Sequence, residues 1–193
     1  MLDYIKGNIE ELSPAHVVLE NAGMGYYLNI SLPTYSQLSG ETATKLYVYE
    51  AIREDAFVLY GFLDKAERQL FLHLLSVSGV GAGSARMIMS SLSVAEIQEA
   101  IATENVLALK AVKGIGLKTA ERIIVDLKSK INRVEGAVQA ALSKTNPARA
   151  EAVSALVMLG FNTQASAKAV DKAMQSDSSA KVEQVIKAAL KQL

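Results

Sequence analysis

The chain has 193 residues, half of them hydrophobic, with 20 Lys and Arg balancing 20 Asp and Glu, and this length allows one to three small domains with ample cores. The absence of cysteine excludes disulfides and thiolate metal sites. A signal-type N-terminus and uncharged apolar runs of membrane-spanning length are missing too, so we expect a soluble, cytoplasmic protein without a membrane partner.

The balanced charge conceals a polarity along the chain. Residues 1–65 carry 4 basic and 9 acidic side chains, a net charge of −5, whereas residues 66–133 carry 9 and 6, a net charge of +3. Residues 134–193 carry 7 and 5, a net charge of +2. Because phosphates attract positive charge, we expect any contact with DNA in the middle segment.

The first 63 residues are predicted to form a small five-stranded barrel of the OB type. Strands are predicted over residues 4–12, 16–20, 25–32, 45–53 and 56–62, with a helical turn over 33–38. Barrels of this type often bind single-stranded nucleic acid through a basic, aromatic face. This segment is acidic, which argues against that use.

The last two predicted strands meet at Arg53-Glu54-Asp55. Adjacent residues of a strand point to opposite faces, and no nearby His, Asp or Glu motif completes a metal site or an acid–base pair. We therefore predict neither a catalytic residue nor a metal ligand here. What remains is a negatively charged protrusion, which a phosphate backbone would avoid.

Residues 64–133 are predicted to be helical and contain an internal repeat with an offset of 35 residues. Each copy has a Gly-hydrophobic-Gly turn, Gly79-Val80-Gly81 or Gly114-Ile115-Gly116, and helices are predicted after the turns over 86–91 and 121–131. Bare backbone amides and the helix dipole make such a turn an anion site. For one copy alone a plain αα-hairpin is the better interpretation, but two copies favour paired phosphate sites of the helix-hairpin-helix type.

Basic side chains near the two turns could supplement these amides. Arg86, Lys110 and Lys113 lie close to a turn, and Lys118 and Arg122 are four residues apart on one helix face. The predicted DNA-binding residues are Gly79, Val80, Gly81, Ser84, Arg86, Lys113, Gly114, Ile115, Gly116, Lys118, Thr119 and Arg122. Between the copies, Ser93 and Glu96 predict a capping box that starts a helix over 93–101.

Two glycine-containing segments superficially resemble nucleotide sites. Residues 114–119 lack the Lys that must directly follow the last glycine of a P-loop, because Leu117 is there. Residues 79–83 neither fit the dinucleotide fingerprint nor follow a strand. We therefore predict no nucleotide, no other cofactor and no ATPase activity.

Residues 134–147 are predicted to be a linker, and residues 148–193 a small domain of three helices over 149–159, 163–174 and 180–190. The helices are expected to turn at Gly160 and at Ser176-Asp177-Ser178. The turn at 157–161 is similar to that of ubiquitin-associated (UBA-like) modules, which bind partner proteins. This similarity predicts Met158, Leu159 and Phe161 as partner-binding residues, although for Leu159 or Phe161 taken singly a place in the core is the more usual role.

This order of parts closely resembles the RuvA family, bacterial proteins that recognise Holliday junctions in the RuvAB branch-migration complex. The resemblance covers essentially the whole chain. Its most specific marks are Arg53-Glu54-Asp55-Ala56, Leu59-Tyr60-Gly61-Phe62, the two glycine turns and Lys118-Thr119-Ala120-Glu121-Arg122. It implies an α+β multidomain protein that acts in recombination and DNA repair without being an enzyme itself.

The resemblance also implies partners and roles. A homotetramer, or an octamer of two facing tetramers, would hold a four-way junction open and square-planar, with Glu54 and Asp55 as acidic pins at the crossover. The tail would dock the hexameric motor ATPase RuvB, and the junction resolvase RuvC is a further expected partner. One departure concerns Gly83 and Leu117, which stand where members of the family often carry cations.

Two other functions stay open from the sequence. A repair glycosylase or junction nuclease built on helix-hairpin-helix modules would need a catalytic Lys/Asp pair or clustered acidic metal ligands. A generic duplex-binding scaffold would need only the two glycine turns, with Glu54 and Asp55 incidental.

Overall fold

The computed structural model describes residues 1–128, 147–176 and 181–193. The chain divides into two compact units, one within residues 1–132 and the other within residues 133–193. In the described part of the chain, no helix is both long enough and apolar enough to cross a membrane.

The first unit begins with a closed five-stranded barrel, as predicted. Its strands are β1 (Tyr4–Leu12), β2 (His16–Asn21), β3 (Met24–Asn29), β4 (Ala43–Ile52) and β5 (Phe57–Phe62), in the order β1-β2-β3-β5-β4. All neighbouring pairs are antiparallel except β3 and β5, which close the barrel as a parallel pair through Leu28–Leu59 and Asn29–Tyr60. Buried aliphatic side chains such as Val17, Leu19 and Leu46 fill it.

The third strand ends earlier than predicted. The prediction extended it to residue 32, but β3 stops at Asn29 and helix α1 (Leu32–Leu38) follows. Ser31 is the N-cap of α1, and its hydroxyl accepts a hydrogen bond from the Thr34 amide at 3.3 Å. Pro33 in the first turn favours the helix further, because its fixed φ suits a helix start.

Five helices follow the barrel within the same unit. They are α2 (Lys65–Leu75), α3 (Ala82–Ser91), α4 (Val94–Ala102), α5 (Val106–Lys110) and α6, which begins at residue 117 and is described up to residue 128. Asp64 caps α2 through the Glu67 amide at 2.8 Å. The predicted capping box of Ser93 and Glu96 at the start of α4 is confirmed.

Helix α2 packs against the last two strands, β4 and β5. The Phe71 ring of α2 lies 5.4 Å from that of Tyr49, 5.3 Å from that of Tyr60 and 4.9 Å from that of Phe62, measured between ring centroids. These rings join the same core as the buried residues of both repeat copies. Aromatic burial of this kind holds the helices on the barrel.

The second unit is a three-helix domain formed by α7 (Pro147–Met158), α8 (Thr163–Ser176) and α9 (Val182–Leu190). Its small core includes Leu156, Val170 and Val185. The guanidinium of Arg149 on α7 pairs with the Asp171 carboxylate on α8, with Nε–Oδ1 and Nη2–Oδ2 distances of 2.5 and 2.8 Å. Residues 134–146 of the predicted linker, and 177–178 of the predicted turn, lie outside the described residues.

Candidate nucleic-acid interface

The two glycine turns have the same backbone geometry. Gly79 has a φ of +92° and Gly114 a φ of +88°, the left-handed conformation that glycine adopts without strain. Each turn is closed by the same hydrogen bond, from the Val80 amide to the Val77 carbonyl at 3.0 Å and from the Ile115 amide to the Val112 carbonyl at 3.1 Å. The repeat in the sequence is therefore a repeat in structure.

Val80 and Ile115 were predicted to bind DNA, but they support the turn from inside. Both residues are only 6% exposed and belong to the helical core. Their amides are already used in the closing hydrogen bonds. Neither residue therefore presents a side chain or an amide to a ligand, and both hold the glycines in place.

The first turns of α3 and α6 each follow a glycine, which has no side chain to cap their amides. Gly81 is the N-cap of α3 and provides no side-chain cap, so the amides of the first turn lack the usual acceptor. The helices begin four residues earlier than predicted, immediately after Gly81 and Gly116. A Cβ at Gly81 or Gly116 would meet no other atom of the protein within 4 Å, so open space adjoins both turns.

The two turns differ in charge. Four cations surround the second turn and all are exposed: Lys110, Lys113, Lys118 and Arg122. At the equivalent positions, 35 residues earlier, the first copy has the uncharged residues Leu75, Ser78, Gly83 and Met87. The positive charge that could attract a phosphate is therefore concentrated at the second turn.

Arg86 is partly buried against the barrel. Its Nη1 atom donates to the Ala15 carbonyl at 3.0 Å and to the Asn29 Oδ1 at 3.0 Å. The sequence placed Arg86 near the first turn and nominated it as a phosphate contact, but could not show this connection to residues far earlier in the chain. Ser84 and Thr119, the equivalent residues of the two copies, are both partly exposed near the helix starts.

The acidic hairpin tip is fully accessible. Glu54 and Asp55 are exposed, and no ion pair neutralises either carboxylate in the described part of the chain. The tip is closed by the Arg53 amide, which donates to the Ala56 carbonyl at 2.8 Å. The cross-strand pair below it, Ile52 and Phe57, is 70% and 60% exposed, a feature that the sequence did not single out.

The three residues nominated for partner binding separate into two groups. Met158 and Leu159 are 86% and 62% exposed at the end of α7, whereas Phe161 packs against the core of the three-helix domain. Gly160 between them has a φ of +99°, which ends the helix in the left-handed conformation. Only the first two side chains are thus freely available to a partner.

The acidic and histidine side chains of the described residues do not assemble into a metal site. No cluster of three or more His, Asp or Glu side chains that could hold a metal occurs among them. His16 is engaged structurally, with Nδ1 2.7 Å from the Ser13 hydroxyl and Nε2 2.8 Å from the Glu11 carboxylate. Glu67 is buried and accepts from the Leu63 amide at 2.9 Å, and burial raises the pKa of its carboxyl.

Three family models match the chain. Residues 1–61 match the RuvA N terminal domain, residues 71–129 the SAM-like helix-hairpin-helix tandem and residues 147–193 the RuvA C-terminal domain. Among full-length relatives, the proteins named Holliday junction branch migration complex subunit RuvA from Bacteroides fragilis, Bacteroides thetaiotaomicron and Christiangramia forsetii are 56%, 52% and 46% identical to this chain. Each of these alignments covers 100% of both chains.

Proposed function

The chain belongs to the RuvA family, and on that premise we propose that it binds four-way DNA junctions as the non-catalytic subunit of a branch migration complex. The observation that supports this most strongly is the pair of glycine turns, which share one backbone geometry and each lead into a helix that starts directly after a glycine. Two phosphate sites held at a fixed separation by one core suit the regular backbone of a DNA arm.

In this proposal the backbone supplies most of the contacts to the DNA arms. The glycines at 79, 81, 114 and 116 allow a phosphate to approach the amides closely, and the hydroxyls of Ser84 and Thr119 can donate to its oxygens. Lys113, Lys118 and Arg122 add charge at the second turn. Because these groups contact only phosphates, the binding is not specific for base sequence.

The exposed carboxylates of Glu54 and Asp55 are proposed to separate the strands at the crossover. Phosphates repel them, so a hairpin tip placed at the crossover would keep strands apart and guide them into the outgoing arms. A four-fold arrangement, as a homotetramer or as an octamer of two tetramers, would bring four such tips together. This arrangement would hold the junction square-planar.

The remaining assignments complete the proposal. The barrel over 1–63 carries the acidic tip, and residues 64–133 hold the DNA. Residues 134–147 connect them to the three-helix domain over 148–193. This domain docks the motor ATPase RuvB through Met158 and Leu159, with Phe161 supporting them. RuvB would supply the ATP hydrolysis, and RuvC is a further candidate partner. The complex would act in the cytoplasm, where the chromosome of a bacterium lies.

A salt-titrated gel shift with the full-length protein tests the proposal. A four-way junction and a linear duplex of matched arm sequence are compared, and the mass of the protein in solution is determined in parallel. We expect a tetramer or octamer that binds the junction far more tightly at moderate salt. Equal binding of the two DNAs would instead support a generic duplex-binding scaffold.

A second assay tests the absence of catalysis. The protein is incubated with labelled junction and Mg²⁺, and the strands are separated on a denaturing gel. We expect intact strands, since the described residues contain no metal cluster. Cleaved products would support a junction nuclease.

A further inference from the structure

Arg86 connects the first hairpin to the barrel over a long stretch of sequence. It lies on α3, one helical turn after the start of the helix, and its Nη1 atom donates to the Ala15 carbonyl and the Asn29 Oδ1, each at 3.0 Å. Both acceptors belong to the barrel, 71 and 57 residues earlier in the chain. Hydrogen bonds from a charged guanidinium are stronger than those from a neutral donor.

The acceptor Asn29 is itself fixed at the point where the barrel closes. It is the last residue of β3 and pairs with Tyr60 of β5, and its Nδ2 donates to the Leu59 carbonyl at 3.2 Å. A second bond joins the same two regions, from the Leu32 amide to the Ser90 hydroxyl of α3 at 3.3 Å. Helix α3 therefore has polar connections to the β3–α1 region of the barrel at two successive turns.

The second hairpin has no equivalent of Arg86. The residue at the same position of the second copy is Glu121, which is exposed and has the opposite charge. Conversely, the four exposed cations of the second copy correspond to uncharged residues of the first. The two copies share a backbone conformation but differ in their side chains. The first copy is bonded to the barrel, and the second copy carries the positive charge.

We propose that Arg86 is a positioning residue that sets the first glycine turn relative to the barrel. In this role it does not bind a phosphate but controls the angle between a DNA arm, held by the hairpins, and the acidic tip, carried by the barrel. This inference rests on the proposed function. It predicts that Arg86 contributes to the preference for a junction over a duplex and not to the general attraction for DNA.

The salt dependence of binding separates these two roles. When a protein neutralises one phosphate fewer, the slope of log affinity against log salt falls by about 0.9. For Arg86→Gln in the full-length protein we expect an unchanged salt slope and an unchanged duplex affinity. The ratio of junction to duplex affinity should be about tenfold smaller, because one or two hydrogen bonds are lost. Lys118→Gln is the matched control with the same change of charge, and its slope should fall on both DNAs.

A barrel variant tests the same connection without touching a cation. Asn29→Ala removes one acceptor, so it should reduce the junction preference in the same way, and the double variant should lose less than the sum of the single variants because the two residues act together. Unfolding midpoints and the mass in solution show whether each variant keeps its fold and assembly. A fold defect would lower the affinity for both DNAs.

Three outcomes would overturn the inference or its premise. A lower salt slope for Arg86→Gln would make Arg86 a phosphate ligand. An unchanged ratio of junction to duplex affinity in Arg86→Gln would show that the connection does not position the hairpin. If the parent protein itself does not prefer the junction, the proposed function fails, and this is visible before any variant is compared.

Discussion

Gly79 and Gly114 lie 35 residues apart and share one left-handed conformation, with φ values of +92° and +88°. The residue after each glycine is buried and bonded in the same way, so the two turns are held by the same contacts. What differs between the copies is the set of side chains around them. Backbone and side chains should therefore make separable contributions to DNA binding.

The two glycines of the second turn should respond differently to alanine. Gly114→Ala places a Cβ at positive φ, which we expect to cost about 1–2 kcal/mol of stability. Gly116→Ala meets no protein atom within 4 Å, so its stability should change by less than about 0.5 kcal/mol. The methyl group of the new alanine at position 116 should nevertheless obstruct the approach of a phosphate and weaken junction binding. Urea unfolding and gel shifts measure the two effects, and full binding by Gly116→Ala would contradict the phosphate site.

Lys118 and Arg122 should contribute positive charge to DNA binding and almost nothing to the stability of the fold. Both are exposed, so Lys118→Gln and Arg122→Gln should leave the unfolding midpoint unchanged. Each substitution should lower the salt slope of DNA binding by about 0.9 for every phosphate that the side chain neutralised. Lys128→Gln is a suitable control, because Lys128 is paired with Glu104. A slope that stays constant in both test variants would remove these cations from the interface.

The acidic tip should affect strand movement more than binding. Glu54→Gln combined with Asp55→Asn removes two exposed charges without removing a partner seen in the fold, so stability should be retained. Junction affinity should stay equal or increase, because a repulsion is removed, while motor-driven branch migration should slow. The rate is measured with labelled junctions, the motor and ATP. An unchanged rate would mean that the tip takes no part in the mechanism.

Partner docking should depend on the two exposed residues that follow one another at the end of α7. Met158→Ser and Leu159→Ser should weaken capture of the motor by about tenfold or more, as loss of an apolar anchor does, while leaving the fold intact. Phe161→Ser should instead destabilise the three-helix domain, since Phe161 packs on its core. Calorimetry with purified RuvB and circular dichroism distinguish the two results. If both surface variants bound the motor as tightly as the parent protein does, the docking surface would have to lie elsewhere.

Glu67 and Glu96 should show opposite pH dependence. Burial raises the pKa of Glu67, so its favourable contribution is present below the unfolded pKa and is lost as pH rises through the folded pKa. Glu67→Gln, which can still accept from the Leu63 amide, should therefore raise the unfolding midpoint at pH 7, with a difference that shrinks towards pH 4.

The matched control for Glu67 is Glu96, whose pKa is lowered by hydrogen bonds from the Ser93 amide and hydroxyl. Its contribution is present above the unfolded pKa and is lost as pH falls through the folded pKa. Glu96→Gln should therefore lower the midpoint at pH 7, and the difference should disappear in acid. Thermal unfolding from pH 3 to pH 8 records both variants, and shifts of the same sign would refute the assignment.

Local features of this protein follow from the sequence alone. The glycine turns, the capping box of Ser93 and Glu96, the five strands and the acidic hairpin were all predicted, because each depends on residues within one turn or one strand. The bounds of the short helix α5 were not predicted, although Asn105 caps it through the Ala108 amide at 3.1 Å. Its five residues are too few to show a helical period.

Only the tertiary structure decided which residues of each motif face outward. Val80 and Ile115 read as part of a binding motif, yet the core buries them. Met158 and Phe161 lie three residues apart, yet one is exposed and the other packed. Arg86 was assigned by its closeness to a turn, whereas its partners are 57 and 71 residues away. Pattern and spacing determine local conformation, but burial and polar partners depend on which distant segments the fold brings together.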